Sequence, residues 1–230
     1  MNLEFLPPSK SGEYLATKNI NLYAKPNSEE LATQMAQGRQ LKVISSSIIE
    51  GSIEICLCED NYIAWLSVED LTYLKPAENP YISHAISEAK IADLIPQIIE
   101  FTYQAMNTPN YYLWGGTVAP NYDCSGLIQS AFASVGVWIP RDSYQQENFA
   151  TKIPITELKA GDLIFFGKQR VTHVALYLGD NQYIHSSGKE IGNNGIAINF
   201  IKPEFPLDDQ VSRNYYAQFW SCGRITQNLT

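Results

Sequence analysis

The chain has 230 residues, 45% hydrophobic and 17% charged, the composition of a soluble globular protein of one or two domains. Twenty-four acidic residues against 16 basic ones give a formal net charge of −8, with no Lys/Arg cluster, so neither nucleic acid nor an anionic membrane surface is an expected partner. No apolar run reaches membrane-spanning length. Met1 to Lys10 has no basic start, apolar run or small-residue cleavage site, so the expected location is cytoplasmic.

Residues 1 to 11 read as a loose lead-in carrying Pro7 and Pro8. From Tyr14 to Leu74 the pattern is short strands and turns. Ile20–Tyr23 is followed by a turn at Ala24 to Asn27. Leu41–Ile44, Ile53–Leu57 and Tyr62–Leu66 alternate as half-buried strands, with a hairpin turn at Asp60-Asn61. Leu31 to Gln37 fits either a short helix or another strand. Together these predict a small SH3-like β-barrel over residues 12–76. Cys56 and Cys58, two apart, share a strand face and form no C-x-x-C motif; with Cys222 they read as buried apolar cysteines in strands. A linker of about five residues, Pro76 to Pro80, is short enough to favour docked domains.

The second domain is expected over residues 81–230. Ile91, Leu94, Ile95, Ile98, Ile99, Thr102 and Met106 share one helical face. Pro96 interrupts it, so the helix either starts near Pro96 or kinks there. After the loop at Asn110 to Asn121, Leu127, Ile128, Ala131, Phe132 and Val135 trace an amphipathic helix opening at Cys124 and stopping near Gly136. Asp142 or Ser143 caps a short helix, Tyr144 to Ala150. Thr156 to Lys159 is a turn. Strands follow at 163–166, 173–178, 183–187, 196–200 and 219–225, with a hairpin at Gly179-Asp180-Asn181-Gln182. Helices first and strands after imply an α+β fold.

The chemistry centres on Cys124. At a helix start, unpaired N–H groups and the dipole favour thiolate over thiol. Of three histidines, His173 and His185 lie downstream on strands, while His84 sits beside the linker. Counting symmetrically about the hairpin centres the two strand histidines on Gly179 and makes them cross-strand neighbours. A nucleophile with its base and an orienting partner is one reading. A core cysteine with hydrogen-bonded strand histidines is the plain alternative, and a zinc site using Cys124, His173 and His185 is another. The backbone N–H of Cys124 is placed to serve an oxyanion.

Tyr112-Leu113-Trp114-Gly115-Gly116, Asp123-Cys124-Ser125-Gly126, Arg141-Asp142-Ser143, Gly161-Asp162-Leu163-Ile164-Phe165-Phe166 and Thr172-His173-Val174-Ala175 resemble the NlpC/P60 cysteine peptidases. The resemblance runs over roughly residues 80 to 228. It is closest to cell-wall peptide hydrolases with a bacterial SH3 domain in front, which Val68-Glu69-Asp70-Leu71 after Trp65 also resembles. It implies a papain-like catalytic domain in which Cys124 attacks, His173 is the base, His185 orients it and Tyr112 adds a hydroxyl at the oxyanion. It further implies that Asp123, Ser125, Asp142 and Ser143 bind substrate, although Asp142 equally suits a helix N-cap. Trp114 is either a further substrate contact or a core or rim aromatic. The small domain of such relatives walls off one end of the cleft and contributes an aromatic and an acid; the matching candidates are Tyr62, Glu69 and Asp70. The implied substrate is a murein tripeptide or tetrapeptide with a free N-terminal L-Ala, cleaved between γ-D-Glu and a diamino acid, without cofactor or metal, during wall-peptide recycling. A wall-binding module with an inactive catalytic fold, or an amidase or acyltransferase on another amide, stays open. The preferred diamino acid and the oligomeric state are not legible.

Overall fold

A computed structural model of the chain describes residues 6–201 and 209–230. The first part of the expected lead-in, Met1 to Phe5, lies outside the described residues. Contacts divide the chain into two units: Met1–His84 with Trp114–Val118, and Ala85–Leu113 with Ala119–Thr230.

The first unit holds β1 (Glu13–Ala16), β2 (Ile20–Tyr23), β3 (Leu31–Met35), β4 (Gln40–Val43), β5 (Ser52–Leu57), β6 (Ile63–Ser67) and β7 (Leu74–Pro76), with a 3-10 turn at Val68–Tyr73. They form an antiparallel sheet in the order β3-β2-β6-β5-β4-β1-β7. The period of two explains why it forms: Ile53, Ile55 and Leu57 are buried while Glu54 and Cys56 between them are half-buried. The ambiguous stretch after Glu30 is strand β3. Asn61, at φ 55°, makes the turn between β5 and β6. Cys58 lies in that turn beyond β5, and Cys56 and Cys58 are half-buried, which corrects their reading as buried strand residues. Arg39 is buried against Glu59 at 3.1 Å and Asp60 at 3.0 Å. Trp114–Val118 carries β8 (Thr117–Val118). The Thr117 hydroxyl donates to the Gln34 carbonyl at 2.8 Å. Gly115 sits at φ 76°, and a Cβ there would lie 2.5 Å from the Leu31 carbonyl oxygen, so only glycine fits.

The second unit begins with α1 (Glu88–Asn107), capped by Ser87, whose hydroxyl accepts the Lys90 N–H at 3.3 Å. Pro96 lies inside this helix, so the start near Pro96 is corrected: the cap at Ser87 sets the boundary. Then come β9 (Asn121–Tyr122), α2 (Cys124–Ala133), α3 (Ser143–Phe149), β10 (Thr151–Ile153), β11 (Leu163–Gly167), β12 (Val171–Gly179), β13 (Gln182–Ser187), β14 (Gly195–Phe200), α4 (Gln210–Tyr216) and β15 (Phe219–Arg224). The stretch read as a turn at Thr156 holds a short 3-10 turn, Ile155–Glu157. Neither β10 nor α4 is foreshadowed in the hydrophobic pattern. The sheet is antiparallel, in the order β10-β15-β11-β12-β13-β14.

Alternate residues of the same strands serve two cores. Leu163, Phe165, Val174, Leu176, Ile184 and Ile196 join Ile91 and Ile98 of α1 and Leu127, Ile128 and Phe132 of α2. Ile164, Phe166, Ala175, Tyr177 and Tyr183 cluster with Tyr215 of α4. Each fully buried aliphatic or aromatic side chain contributes about 1.5–3 kcal/mol, so the helices are held by the sheet and not by their own propensity. The β12–β13 register pairs Leu176 with Ile184 and Tyr177 with Tyr183, then shifts before Gly179 and Gln182. Extended by one step, it sets Ala175, not His173, opposite His185. The direct cross-strand pairing of the histidines is therefore corrected to a diagonal one: the count centred the hairpin on Gly179, whereas the strand pairing centres on Asp180, which moves each partner by two residues.

Candidate active site

Asp123 is the N-cap of α2, and its Oδ1 accepts the Gly126 N–H at 2.6 Å. Cys124 is therefore the first helical residue, and it is buried. Its sulfur receives the backbone N–H groups of Val174 and Ser125, which places it against β12 next to His173. Burial first, then the Asp123 carboxylate, pushes the Cys124 thiol up to about 12; the two N–H groups and Arg141 pull the other way. The helix start alone favours thiolate, but here burial wins. The bias toward thiolate expected from the helix start is thus opposed by burial, which favours the thiol.

A buried charged clamp fixes this helix start. Arg141 donates from Nη1 to Asp123 Oδ1 at 3.1 Å and from Nη2 to Asp123 Oδ2 at 2.6 Å, a two-pronged pair. Nη1 also donates to the Ser125 hydroxyl at 2.9 Å. Gln146 of α3 donates to the Ser125 carbonyl at 3.1 Å and the Pro140 carbonyl at 2.9 Å. Asp123 and Ser125 are thus committed to holding the Cys124 turn in place. Arg141 is visible in the sequence only as the start of Arg-Asp-Ser; nothing there shows that it grips Asp123.

On the other flank, His173 Nε2 and His185 Nδ1 are 2.7 Å apart, and His185 Nε2 lies 2.9 Å from Asn199 Oδ1. All three residues are buried. Burial, followed by the neighbouring His185, holds His173 well below the ordinary imidazole value. Burial lowers His185 to about 4, against a smaller upward pull from its bond to Asn199. Both rings are neutral at physiological pH. Both His185 nitrogens are already engaged, so the zinc reading loses one of its three ligands. Tyr215 lies over His173, ring centroids 4.4 Å apart and planes at 34°. Neither Asn199 nor Tyr215 carries any signal in the sequence.

Tyr112 is half-buried, and burial followed by Cys124 and Asp123 raises its phenol, so it stays a protonated donor beside the sulfur. Trp114 is exposed, which removes its reading as a core aromatic. Asp142 precedes α3 as its N-cap residue, and Gln145 Oε1 accepts its N–H at 3.2 Å, half of a capping box. Ser143 is the buried first residue of α3. Tyr62, Glu69 and Asp70 belong to the first unit. Tyr62 is half-buried, and its N–H donates to Asp60 Oδ1 at 3.2 Å. Glu69 and Asp70 open the 3-10 turn, where the Ser67 hydroxyl accepts the Glu69 N–H at 3.3 Å and burial raises the Asp70 carboxyl.

Comparison with known proteins matches residues 109–221 to the NlpC/P60 family and residues 22–71 to the bacterial dipeptidyl-peptidase SH3 domain. The chain is 29% identical over 206 residues to a gamma-D-glutamyl-L-lysine dipeptidyl-peptidase of Bacillus cereus, covering 86% of this chain and 56% of that protein. It is 43% identical over 86 residues to the Bacillus subtilis protein of the same name, covering 35% of this chain and 29% of that one. The peptidoglycan endopeptidase RipB of Mycobacterium tuberculosis is 38% identical over 116 residues, covering 45% of this chain and 47% of RipB. The chain therefore spans between about three tenths and just over half the length of these relatives.

Proposed function

From a chain whose residues 109–221 match the NlpC/P60 family and whose residues 22–71 match the bacterial dipeptidyl-peptidase SH3 domain, we propose a cysteine peptidase that hydrolyses the γ-D-glutamyl amide bond of murein peptides. The observation that carries this is a thiol at a clamped helix start that receives the N–H of Val174, the residue after His173, whose Nε2 is bonded to a second imidazole. Nucleophile, base and orienter stand in that order.

His173 Nδ1 takes the Cys124 proton as the sulfur bonds to the γ-carbonyl carbon. The oxyanion is met by the Cys124 backbone N–H and the Tyr112 hydroxyl. As the C–N bond breaks, His173 returns the proton to the departing α-amine of the diamino acid. A water then gives its proton to His173 and its oxygen to the thioester carbon, and the sulfur leaves with that proton as the thiol is restored. Bond and proton counts close without a cofactor. The neutral resting pair suits this route, because charge appears only as the sulfur attacks.

The finer substrate is a peptide with free N-terminal L-Ala, followed by γ-D-Glu and a diamino acid. Two relatives named gamma-D-glutamyl-L-lysine dipeptidyl-peptidases support it, since a dipeptidyl-peptidase by its name measures two residues from a free amino end. Four free cysteines suit a reducing compartment, which fits a cytoplasmic role in recycling released wall peptides. The test is mass spectrometry of products from L-Ala-γ-D-Glu-diaminopimelate and its N-acetylated form, with the native enzyme and Cys124→Ala. The expected product is L-Ala-D-Glu from the free peptide and native enzyme alone. An intact free peptide overturns the substrate, and cleavage by Cys124→Ala overturns the mechanism.

A further inference from the structure

We propose that Asn199 is a positioning residue that sets the tautomer of both active-site histidines and thereby chooses which nitrogen of His173 is the base. The inference rests on the peptidase reading of the site. It begins with the orientation of one amide. Asn199 Nδ2 faces Asp209 Oδ1 at 3.5 Å and the Ser212 hydroxyl at 3.3 Å. A carboxylate only accepts, so the nitrogen must be on that side. Ser212 is held there by two further bonds: its N–H donates to Asp209 Oδ1 at 2.9 Å, and its hydroxyl accepts the Phe200 N–H at 2.9 Å. From the other side, Asn193 Nδ2 donates to Asn199 Oδ1 at 2.8 Å. Both edges of the amide are therefore specified, and Oδ1 faces His185.

The rest follows as a chain of donors and acceptors. An amide oxygen cannot donate, so His185 Nε2 carries the hydrogen in the 2.9 Å contact. Neutral His185 then has its lone pair on Nδ1. That lone pair accepts from His173 Nε2 across 2.7 Å. Neutral His173 is left with its lone pair on Nδ1. Turning the amide over would reverse every step and put a hydrogen on Nδ1, where a base needs none. The geometry is one diagonal repeated. The register sets Ala197 opposite His185 and Asn199 opposite Tyr183, so Asn199 is displaced by two residues, as His173 is. Diagonal neighbours on one sheet face stand roughly 7–8 Å apart, a span that imidazole and amide side chains can bridge. A helix that contributes no catalytic side chain, α4, thus decides the protonation pattern through Asp209 and Ser212.

The test compares Asn199→Leu with Asn199→Asp in the full chain. Leu removes the acceptor; an ionised Asp offers acceptors only. Imidazole tautomers are read by long-range proton–nitrogen NMR on the substrate-free protein, and kcat and KM on the proposed tripeptide. In the native protein both rings carry the hydrogen on Nε2. Asn199→Leu is expected to mix the tautomers and lower kcat about ten- to a hundredfold with little change in KM. Asn199→Asp is expected to keep the Nε2–H tautomers and recover part of the loss, part only because Asp209 faces the new carboxylate. If Leu prevents folding, Asn199→Ser, which withdraws the acceptor from His185, replaces it in the same comparison. Unmixed tautomers in the acceptor-free variant, or mixed tautomers in Asn199→Asp, overturn the proposal. The NMR readout needs no substrate, so inactivity of the native enzyme on the peptide sinks the substrate reading and leaves this inference to be judged by the tautomers.

Discussion

On one flank of Cys124, Arg141 grips Asp123 and Ser125 with full charges. On the other, His173, His185 and Asn199 are joined without any charge. Both clusters are buried, and both are hydrogen-bonded throughout their links. The difference teaches how one fold treats two tasks. A charged fork fixes positions, because removing either partner strands the other in a dry interior. A neutral relay fixes protons, because burial keeps each ring uncharged while its bonds select the tautomer. The first holds the sulfur still; the second keeps a nitrogen ready.

The sharpest way to break this comparison is to remove the sulfur's chemistry. Alkylation of Cys124 with iodoacetamide, followed by mass mapping, is expected to abolish turnover, while a chelator leaves it unchanged. Loss with the chelator, restored by zinc, would revive the metal reading. Next come the relay's unequal members. His173→Ala is expected to lower kcat by up to about ten-thousandfold, the range of general acid–base catalysis. His185→Asn, whose amide still accepts the imidazole N–H, is expected to lose about ten- to a hundredfold. Equal and complete loss in both, with unchanged circular dichroism, counts against the assignment.

The charged flank should answer in stability. Arg141→Met is expected to cost about 3–5 kcal/mol in denaturant unfolding, because the buried Asp123 carboxylate loses its counter-charge. A cost under about 1 kcal/mol would reclassify the pair as energetically idle. The smallest effect is on pH. The base must be neutral, and His173 is held below the ordinary imidazole value of 6.5. The acid limb of kcat/KM is therefore expected below pH 6.5. Stability carries the same sign: it is full above the unfolded imidazole value and lost as pH falls through the lowered folded values, about 4 for His185. Unfolding midpoints measured between pH 7 and pH 4 check this; a flat profile would mean that the rings are not kept neutral by the fold.

The start of α2 at Cys124 was legible because a polar cap, a helical period and a terminating glycine all lie within one short stretch. The histidines were legible as a pair but not in register, because the strand pairing centres on Asp180 and not on Gly179, and nothing in the turn sequence marks which residue is its centre. Asn199 was illegible for a different reason. Its importance arises only when β14 pairs with β13 and α4 brings Ser212 and Asp209 against it. Arg141 stood in a recognisable motif, yet its partner lies 18 positions earlier in the chain. The ambiguous stretch at β3 was settled by pairing with β2, which outweighs local propensity.

Tyr215 gives the reaction an order of events. His173 is boxed in by three rings: Tyr215 at 4.4 Å, His185 at 4.9 Å and Phe166 at 5.9 Å between centroids. An imidazole confined in this way does not swing between two stations. One nitrogen on a stationary ring must serve the departing amine first and the incoming water afterwards, at the same spot. The two cannot occupy it together, so on the proposed reading the departing amine leaves before the thioester is hydrolysed. On the proposed peptidase reading, the confinement of a single ring predicts a strict ping-pong catalyst, whose free first product, at high concentration, slows turnover of the acyl intermediate.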